Sequence, residues 1–312
     1  GQEPKFSVLM ANYNNARYIG EAIESVVAQT FEDWELVIID DASTDGSLQA
    51  MEEYFQDRRI SLKVNKANVG YIETLSRLVN ESHADIFGIL DSDDALTPDA
   101  IARMYEEHLS NPNCGLIHSQ FSYCDSEMRP LKQGFCRALP ADSSNVKEAY
   151  SSHFKTFKRK MFDLTSGFDP GIIYAEDWDV VFKMEEVAPV LFVDRLLYKH
   201  RVRSDSQSND PLKKRIGYLS YIVAKYKAYQ RRIGTSIPNL SRHAMSVELF
   251  VASVLSLSLC RWREAAYYFT EAVKLNPLLF ISLFSYAIGK TVVRAKRHFD
   301  PHYQSPFPVL SR

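Results

Sequence analysis

The sequence predicts an α/β chain: a mainly parallel sheet flanked by helices over about residues 1–210, followed by a C-terminal α-helical extension over 211–312. Two observations carry this. Short β-rich runs alternate with helix-period segments through the first 125 residues, the arrangement of a parallel sheet covered by helices. From Pro211 onward no strand signal of any strength remains, while apolar residues keep helical spacing. The boundary between the two parts is expected near Asn209-Asp210-Pro211.

In order, "KFSVLMA" reads as a strand, and Ile19, Ala22, Ile23, Val26 and Val27 then describe one apolar face of a helix. "WELVIID" is a second strand, and "ASTDGSLQAMEEYF" a turn and helix with Leu48, Met51 and Phe55 inward. "ISLKVN", the helix "YIETLSRLVNES" and the strand "DIFGIL" follow, the last ending at an acidic cluster. Thr97 and Pro98 read as the N-cap and first position of a helix with Ile101, Met104 and Tyr105 on one side. "GLIHSQFSY" and "PVLFVD" are strands around a helix that begins near "EDWDVVFKM". Beyond Pro211, residues such as Leu212, Ile216, Leu219, Ile222, Val223 and Tyr226 open a run of helices that reaches about residue 296.

With 312 residues and a formal charge of −2, the composition is that of an ordinary globular protein. A pI near 6.5 argues against a protein built around a nucleic-acid backbone. Cys114, Cys124, Cys136 and Cys260 form no CxxC pair, so they read as reduced thiols; with His118 they match no common zinc spacing. The start "GQEPKFSVLMANYNN" has no basic, apolar and small-residue succession, and the apolar stretch "PLLFISLFSYAIG" is short of the roughly 20 residues that span a bilayer. The expected location is therefore the cytoplasm.

Phosphate motifs of other kinds are missing. No GxGxxG follows the first strand, and "GKT" at 289–291 has Phe284 where a Walker loop needs glycine. The run "DSDDALTPD" is not a calcium loop, because Leu96 takes its glycine position and Ala102 its terminal glutamate position. What remains is a carboxylate-rich strand terminus, Asp91, Asp93 and Asp94, at the sheet edge where α/β folds bind ligands. In an extended segment Asp91 and Asp93 project to one side, so both can converge on a divalent ion, although a solvated helix-capping turn would read the same. "IDDASTDGS" repeats the pattern: Asp40 and Asp41 alternate, so one can face a ligand while the other holds the loop. In "YAEDWDVVFKM", Glu176 and Asp177 open an amphipathic helix, a place where carboxylates commonly serve only as dipole partners.

The succession "VLMANYNNARYIGEAIESVVAQTFEDWELVIIDDASTDGS", "NVGYIETLSRLVNESHADIFGILDSDDALTPD", "YAEDWDVVFKM" and "YKHRVRSDSQS" resembles the family 2 glycosyltransferases of GT-A (Rossmann-like) fold, over about residues 6–205. The resemblance implies a nucleotide-binding half at about 6–125 and an acceptor half at about 126–210. It implies that Tyr13 stacks on the base, that Asp41 and the backbone near Ala11 contact it, and that Asp91 lies near the ribose or sugar. Asp93 would coordinate Mn²⁺ or Mg²⁺, with Asp91 and His200 as further candidate ligands, while Asp94 either supports the loop or faces the donor sugar. Asp177 matches the general base, with Glu176 beside it in the substrate site. Arg201 and Arg203 are candidate phosphate clamps, since guanidinium geometry fits phosphate oxygens; His200 is a metal or phosphate ligand or simply structural. Ser204, Ser206 and Ser208 continue that segment.

The implied function is inverting transfer of a sugar from a nucleotide diphosphate sugar, UDP being the expected nucleotide, to a glycan or lipid-linked acceptor in bacterial surface polysaccharide or glycoconjugate synthesis. A catalytically inert GT-A scaffold that binds a partner is the alternative from another class. A sugar-1-phosphate nucleotidyltransferase is the alternative within catalysis, but "ANYNNARYI" lacks the glycine-rich basic loop expected of it. "RWREAAYYFTEAVKLNP" resembles half of a tetratricopeptide repeat without further copies. About 278–298, apolar residues precede Lys290, Arg294, Lys296 and Arg297, a pattern for a helix on the inner face of an anionic membrane, or one packed on the catalytic domain or between subunits of a homo-oligomer.

Overall fold

A computed structural model describes residues 3–203 and 210–281. Four parallel strands form one half of a mixed sheet: β1 (Phe6–Asn12), β2 (Trp34–Asp40), β3 (Ile60–Val64) and β4 (Ile86–Ile89), in the order β3-β2-β1-β4. β1 and β2 run as continuous apolar segments because both faces are covered. Phe6, Val8 and Met10 point to one side, with Leu36 and Ile38, and meet Ile19, Ala22, Ile23 and Val26 of α1 (Ile19–Val27). Leu9, Val37 and Ile39 point to the other and meet Leu75, Leu78 and Val79 of α3 (Tyr71–Glu81).

Three residues expected inward are not. Val27 is 42% exposed, and Leu48 and Phe55 are 37% and 36% exposed, leaving Met51 as the buried member of its segment. The reason in the second case is a change of helix period, since α2 (Ser47–Met51) tightens into a 3-10 turn over Glu52–Gln56. Likewise α4 (Ala100–Ser110) starts after Asp99, two residues later than Thr97 and Pro98 suggest.

The other half of the sheet is where the sequence was least explicit. β8 (Thr156–Lys158) inserts antiparallel between β4 and β6 (Leu116–Cys124), and β6 runs parallel to β9 (Val190–Arg201). The short β5 (Ala95–Leu96) and β7 (Pro130–Gln133) pair antiparallel with β9 and β6. The sheet is mixed, its long pairings β1–β2, β2–β3 and β6–β9 parallel and the short ones of β5, β7 and β8 antiparallel. β9 continues well past the expected "PVLFVD", so "YKHR" is strand, registered as His200 opposite Tyr123 and Arg201 opposite Cys124. α5 (Arg159–Phe162) and α6 (Glu176–Val187) complete this half.

α7 (Pro211–Arg231) starts with Asp210 accepting from the Leu212 backbone N–H at 2.8 Å, with proline at the first position. It packs within the first compact unit, which runs to Leu240. Packing explains this: Ala224 and Ala228 join Val146, Ile172, Ala175 and Phe182 in one core. The buried Arg232, just past the helix, pairs with Glu185 and Glu186 at 3.2 and 3.0 Å.

In the second unit, from Ser241 onward, α8 (Arg242–Ser258) and α9 (Trp262–Leu275) pack as a helical pair. Small residues bring them close, with Ser246 and Ser253 hydroxyls donating to the Ala272 and Ala265 carbonyls at 2.8 Å each. The segment expected at about 278–298 lies outside the described residues beyond Ile281. Among the described residues no helix is long and apolar enough to cross a membrane.

Gly88 marks where β4 and the chain entering β8 touch. A Cβ there would meet the Phe154 ring at 2.7 Å and Thr156 Cγ2 at 3.1 Å. Gly88→Ala should therefore cost about 1–3 kcal/mol of stability through overpacking, read as a lower urea midpoint; an unchanged midpoint would mean that Phe154 yields freely.

Candidate active site

The carboxyl ends of β1, β2 and β4 and the N-termini of α3 and α6 gather the expected residues at one edge of the sheet. Asp40 is fully buried and holds the loop after β2, accepting from Asn12 Nδ2 at 2.7 Å and from the Ser43 backbone N–H and hydroxyl at 2.8 and 2.7 Å. Asp41 accepts from Asn65 Nδ2 at 2.8 Å and from the Val69 and Gly70 backbone N–H groups at 2.9 and 2.8 Å. Both carboxylates therefore hold loops, and of the roughly four acceptor positions of Asp41 one remains for a ligand. Tyr13 is 40% exposed just past β1, and Ala11 is half-buried within that strand.

The three clustered aspartates divide cleanly. Asp94 faces inward with 1% exposure and accepts from Tyr198 Oη at 2.8 Å, His200 Nδ1 at 3.1 Å and the Arg201 backbone N–H at 2.8 Å. It ties the loop after β4 to the end of β9. Asp91 accepts from Tyr71 Oη at 2.7 Å, and burial together with Asp94 and Asp93 pushes its pKa up to about 6. Asp93 pairs with Arg203 Nη1 at 3.1 Å; burial and Asp94 raise its pKa against the pull of that guanidinium.

β9 supplies the expected basic residues in quite different settings. His200 is bound through Nδ1 to Asp94 and stacks on His153, which in turn stacks on Tyr198. Burial opposes its charge, but the Asp94 hydrogen bond and the charges of Asp94, Asp91 and Asp93 raise its pKa. Arg201 is 3% exposed and differs from the expected phosphate clamp: its Nε donates to the Asp93 carbonyl at 2.7 Å, its Nη1 to the Ser126 carbonyl, and its Nη2 to Glu21 at 2.5 Å. Those bonds make it a buried strut. Arg203 bonds Asn15 Oδ1 at 2.9 Å as well as Asp93, and its guanidinium lies 4.7 Å from the Tyr18 ring centroid. Ser204, Ser206 and Ser208 lie outside the described residues.

α6 brings the second pair of carboxylates to the same space. Burial, then Asp177 and Asp91, push Glu176 up to about 7, and its buried Oε2 has no hydrogen-bond partner. Asp177 is 44% exposed, with Lys155 Nζ 3.4 Å from its Oδ2. Burial, followed by Asp91, Glu176 and Asp177, raises Tyr71 well above the ordinary tyrosine value, so its hydroxyl is a firm proton donor. One phenol thus feels both carboxylate pairs. Sequence reasoning did not single out Tyr71, Tyr198, Asn15 or Lys155; Tyr71 does lie inside the quoted "NVGYIETL", whereas nothing in period or spacing marks Lys155.

No group of three or more potential ligand side chains among the described residues could hold a metal by itself. Asp91 and Asp93 nevertheless suit Mn²⁺ or Mg²⁺ of the kind completed by substrate phosphates and water: burial first and then the neighbouring carboxylates raise their pKa values, and a cation would relieve the second cause.

Asp94→Ala strands a phenol, an imidazole and a backbone N–H in a buried place, and at about 1–3 kcal/mol for each orphan the expected loss is at least about 3 kcal/mol in a denaturant titration. A second prediction concerns pH without added metal. Glu176 and Asp91 shift from 4.5 to about 7 and from 3.8 to about 6, so between those limits the folded state holds more protons than the unfolded one. Stability then falls as pH rises from about 4 to about 7, and Glu176→Gln should flatten the fall and add about 1–3 kcal/mol at pH 8. A slope unchanged in that variant would place the proton elsewhere.

Comparison with known proteins agrees with this geometry. The family model described as Glycosyl transferase family 2 matches residues 7–167, just over half of the chain. A chondroitin synthase of Escherichia coli is 26% identical over 205 residues, covering 66% of this chain and 30% of that protein, so the chain spans less than a third of that relative. Among solved structures, S. aureus TarS 1-349 in complex with UDP-GlcNAc aligns with a TM-score of 0.57 at 17% identity, covering 86% of this chain and 73% of that one. The mannosyltransferase PcManGT from Pyrobaculum calidifontis, in complex with GDP-Man and Mn²⁺, aligns at 0.58 and 16% identity, covering 96% and 83%. The fold is that of the GT-A glycosyltransferases, and the chain belongs to glycosyltransferase family 2.

Proposed function

We propose that this chain is an inverting glycosyltransferase that moves a sugar from a nucleotide diphosphate sugar, UDP-linked, to a hydroxyl of a glycan or lipid-linked acceptor. The observation that carries the reading is the meeting of two carboxylate pairs, Asp91 with Asp93 and Glu176 with Asp177, around the Tyr71 hydroxyl. One pair suits the phosphate end of a donor and the other its sugar end. The chondroitin synthase relative and the UDP-GlcNAc and GDP-Man complexes of the structural neighbours support a nucleotide sugar donor and polysaccharide synthesis as the setting. We assign the work to the cytoplasmic side of the cell.

On this reading Tyr13 stacks on the base, while the remaining acceptor position of Asp41 and the backbone at Ala11 bind its edge. Asp93 and Asp91 hold Mn²⁺ or Mg²⁺, which when bound neutralises charge on the diphosphate. Arg203 joins Asp93 to Asn15 before the donor arrives, so it stands within reach of a phosphate that takes its place beside Asp93. His200, fixed by Asp94, borders the same region. Glu176 offers its unpartnered oxygen to a sugar hydroxyl.

Asp177 is the general base. As the acceptor oxygen bonds to the anomeric carbon from one face, the bond from that carbon to the phosphate oxygen breaks on the other, and the acceptor proton passes to the Asp177 carboxylate. A single displacement inverts the anomeric centre and needs no covalent sugar intermediate.

The test is to incubate the protein with a panel of nucleotide sugars and Mn²⁺ and to quantify the nucleotide released. The expected result is release from one sugar class, lowered about 100-fold or more by Asp177→Asn. Near-normal release by that variant would remove Asp177 from the base role.

A further inference from the structure

We propose that Lys155 is a positioning residue for transfer, holding the Asp177 carboxylate in one orientation, turned toward the acceptor. The inference rests on the reading of Asp177 as the base and adds to it a residue that neither the motifs nor the family match singles out.

Lys155 directly precedes β8, and its carbonyl accepts the Ile89 backbone N–H at 3.3 Å, which stitches it to the end of the strand that carries the acidic cluster. Its side chain is 7% exposed. Several buried groups feel its charge, Glu176 among them, and none of them is hydrogen-bonded to it. His118 and His153 are driven to the neutral form first by burial and then by this ammonium, and Cys136 is held up as a thiol mainly by burial. Both His118 ring nitrogens are without hydrogen bonds.

Among the described residues the hydrogen-bond acceptor of the ammonium is Asp177 Oδ2, at 3.4 Å. A desolvated cation is costly unless paired, whereas a carboxylate as exposed as Asp177 needs no partner for its own solvation. The fold therefore spends a buried charge on an exposed one, which makes sense where that exposed group must keep one orientation.

The surroundings give the pair a further task. Asp177 has Glu176 beside it in α6, with Asp91 from the end of β4 and the Tyr71 phenol from α3 also facing this space. Three carboxylates so placed favour uptake of a proton by one of them. Burial first and then Asp177 and Asp91 push Glu176 toward its protonated form against the opposing charge of Lys155, and its Oε2 is unpartnered, so Glu176 is where a proton is retained. Oδ2 is occupied by the ammonium, so Oδ1 is left to receive the acceptor proton.

The experiment compares Lys155→Met and Lys155→Arg with the full chain, measuring kcat, KM for the donor, UDP affinity with Mn²⁺ and melting temperature. The expected result for Lys155→Met is a fall in kcat of about tenfold or more with UDP affinity within about twofold. Lys155→Arg should restore most of the rate. Unchanged kcat in Lys155→Met would overturn the proposal, as would equal losses in both variants. If Lys155→Met does not fold, Lys155→Gln takes its place under the same criteria. Failure of the underlying reading shows separately, as an Asp177→Asn protein that turns over normally.

Discussion

The buried carboxylate of Asp94 is the contact on which the site depends. It accepts a phenol, an imidazole and a backbone N–H, all from the last four residues of β9, and thereby fixes the loop after β4 to a strand on the far side of β8 and β6. Arg201 locks the same joint from the opposite direction by donating to the Asp93 carbonyl and pairing with Glu21. With Asp94 held inside, Asp91 and Asp93 have only the outward side left. Their crowding is a geometric consequence of that anchor, and burial and then the resulting repulsion raise their pKa values.

Each pair of outward carboxylates has one cation against it. Arg203 stands on Asp93 and Lys155 on Asp177, yet the two differ in kind. Arg203, two residues past β9, reaches Asp93, where a divalent ion can compete for the carboxylate and a phosphate for the guanidinium. Lys155 directly precedes β8 and, among the described residues, gives its ammonium hydrogen bond to Asp177. The negative excess is therefore greatest at Asp91 and Asp93, while Asp177 keeps a cation that the fold itself supplies. Tyr71, hydrogen-bonded to Asp91 and close to Glu176 and Asp177, transmits the electrostatics of one pair to the other.

Much of the first half of the fold was legible because its physics is periodic. β2 spans the residues of "WELVIID", and α1 runs from Ile19 to Val27 as its apolar spacing requires, although Val27 itself turns outward. β8 escaped notice since Thr156, Phe157 and Lys158 are too short a run to show alternation, and its pairing with β4 is set by Gly88 and Phe154, which meet only in three dimensions. The reach of β9 to Arg201 was hidden for a related reason: its second half is mostly polar, and Asp94 and Arg201 satisfy each other across more than a hundred residues of chain. Motif reasoning divided the three aspartates, Asp93 for the metal, Asp91 nearer the donor and Asp94 between loop support and a sugar contact, but it could not tell that Asp94 is buried. Nor could it tell Arg201, spent inside the protein, from Arg203 beside Asp93, because burial is not written in the spacing of "HRVR".

If the outward aspartates form an incomplete cation site completed by a diphosphate, binding of the two ligands must be linked. Calorimetric titration of UDP into the protein at about pH 6, with and without Mn²⁺, measures that linkage directly. The expected result is binding at least about tenfold tighter with Mn²⁺, accompanied by proton release, because Asp91, with its pKa near 6, must shed its proton to meet the cation. Equal affinity in the two titrations, with no protons released, would contradict it.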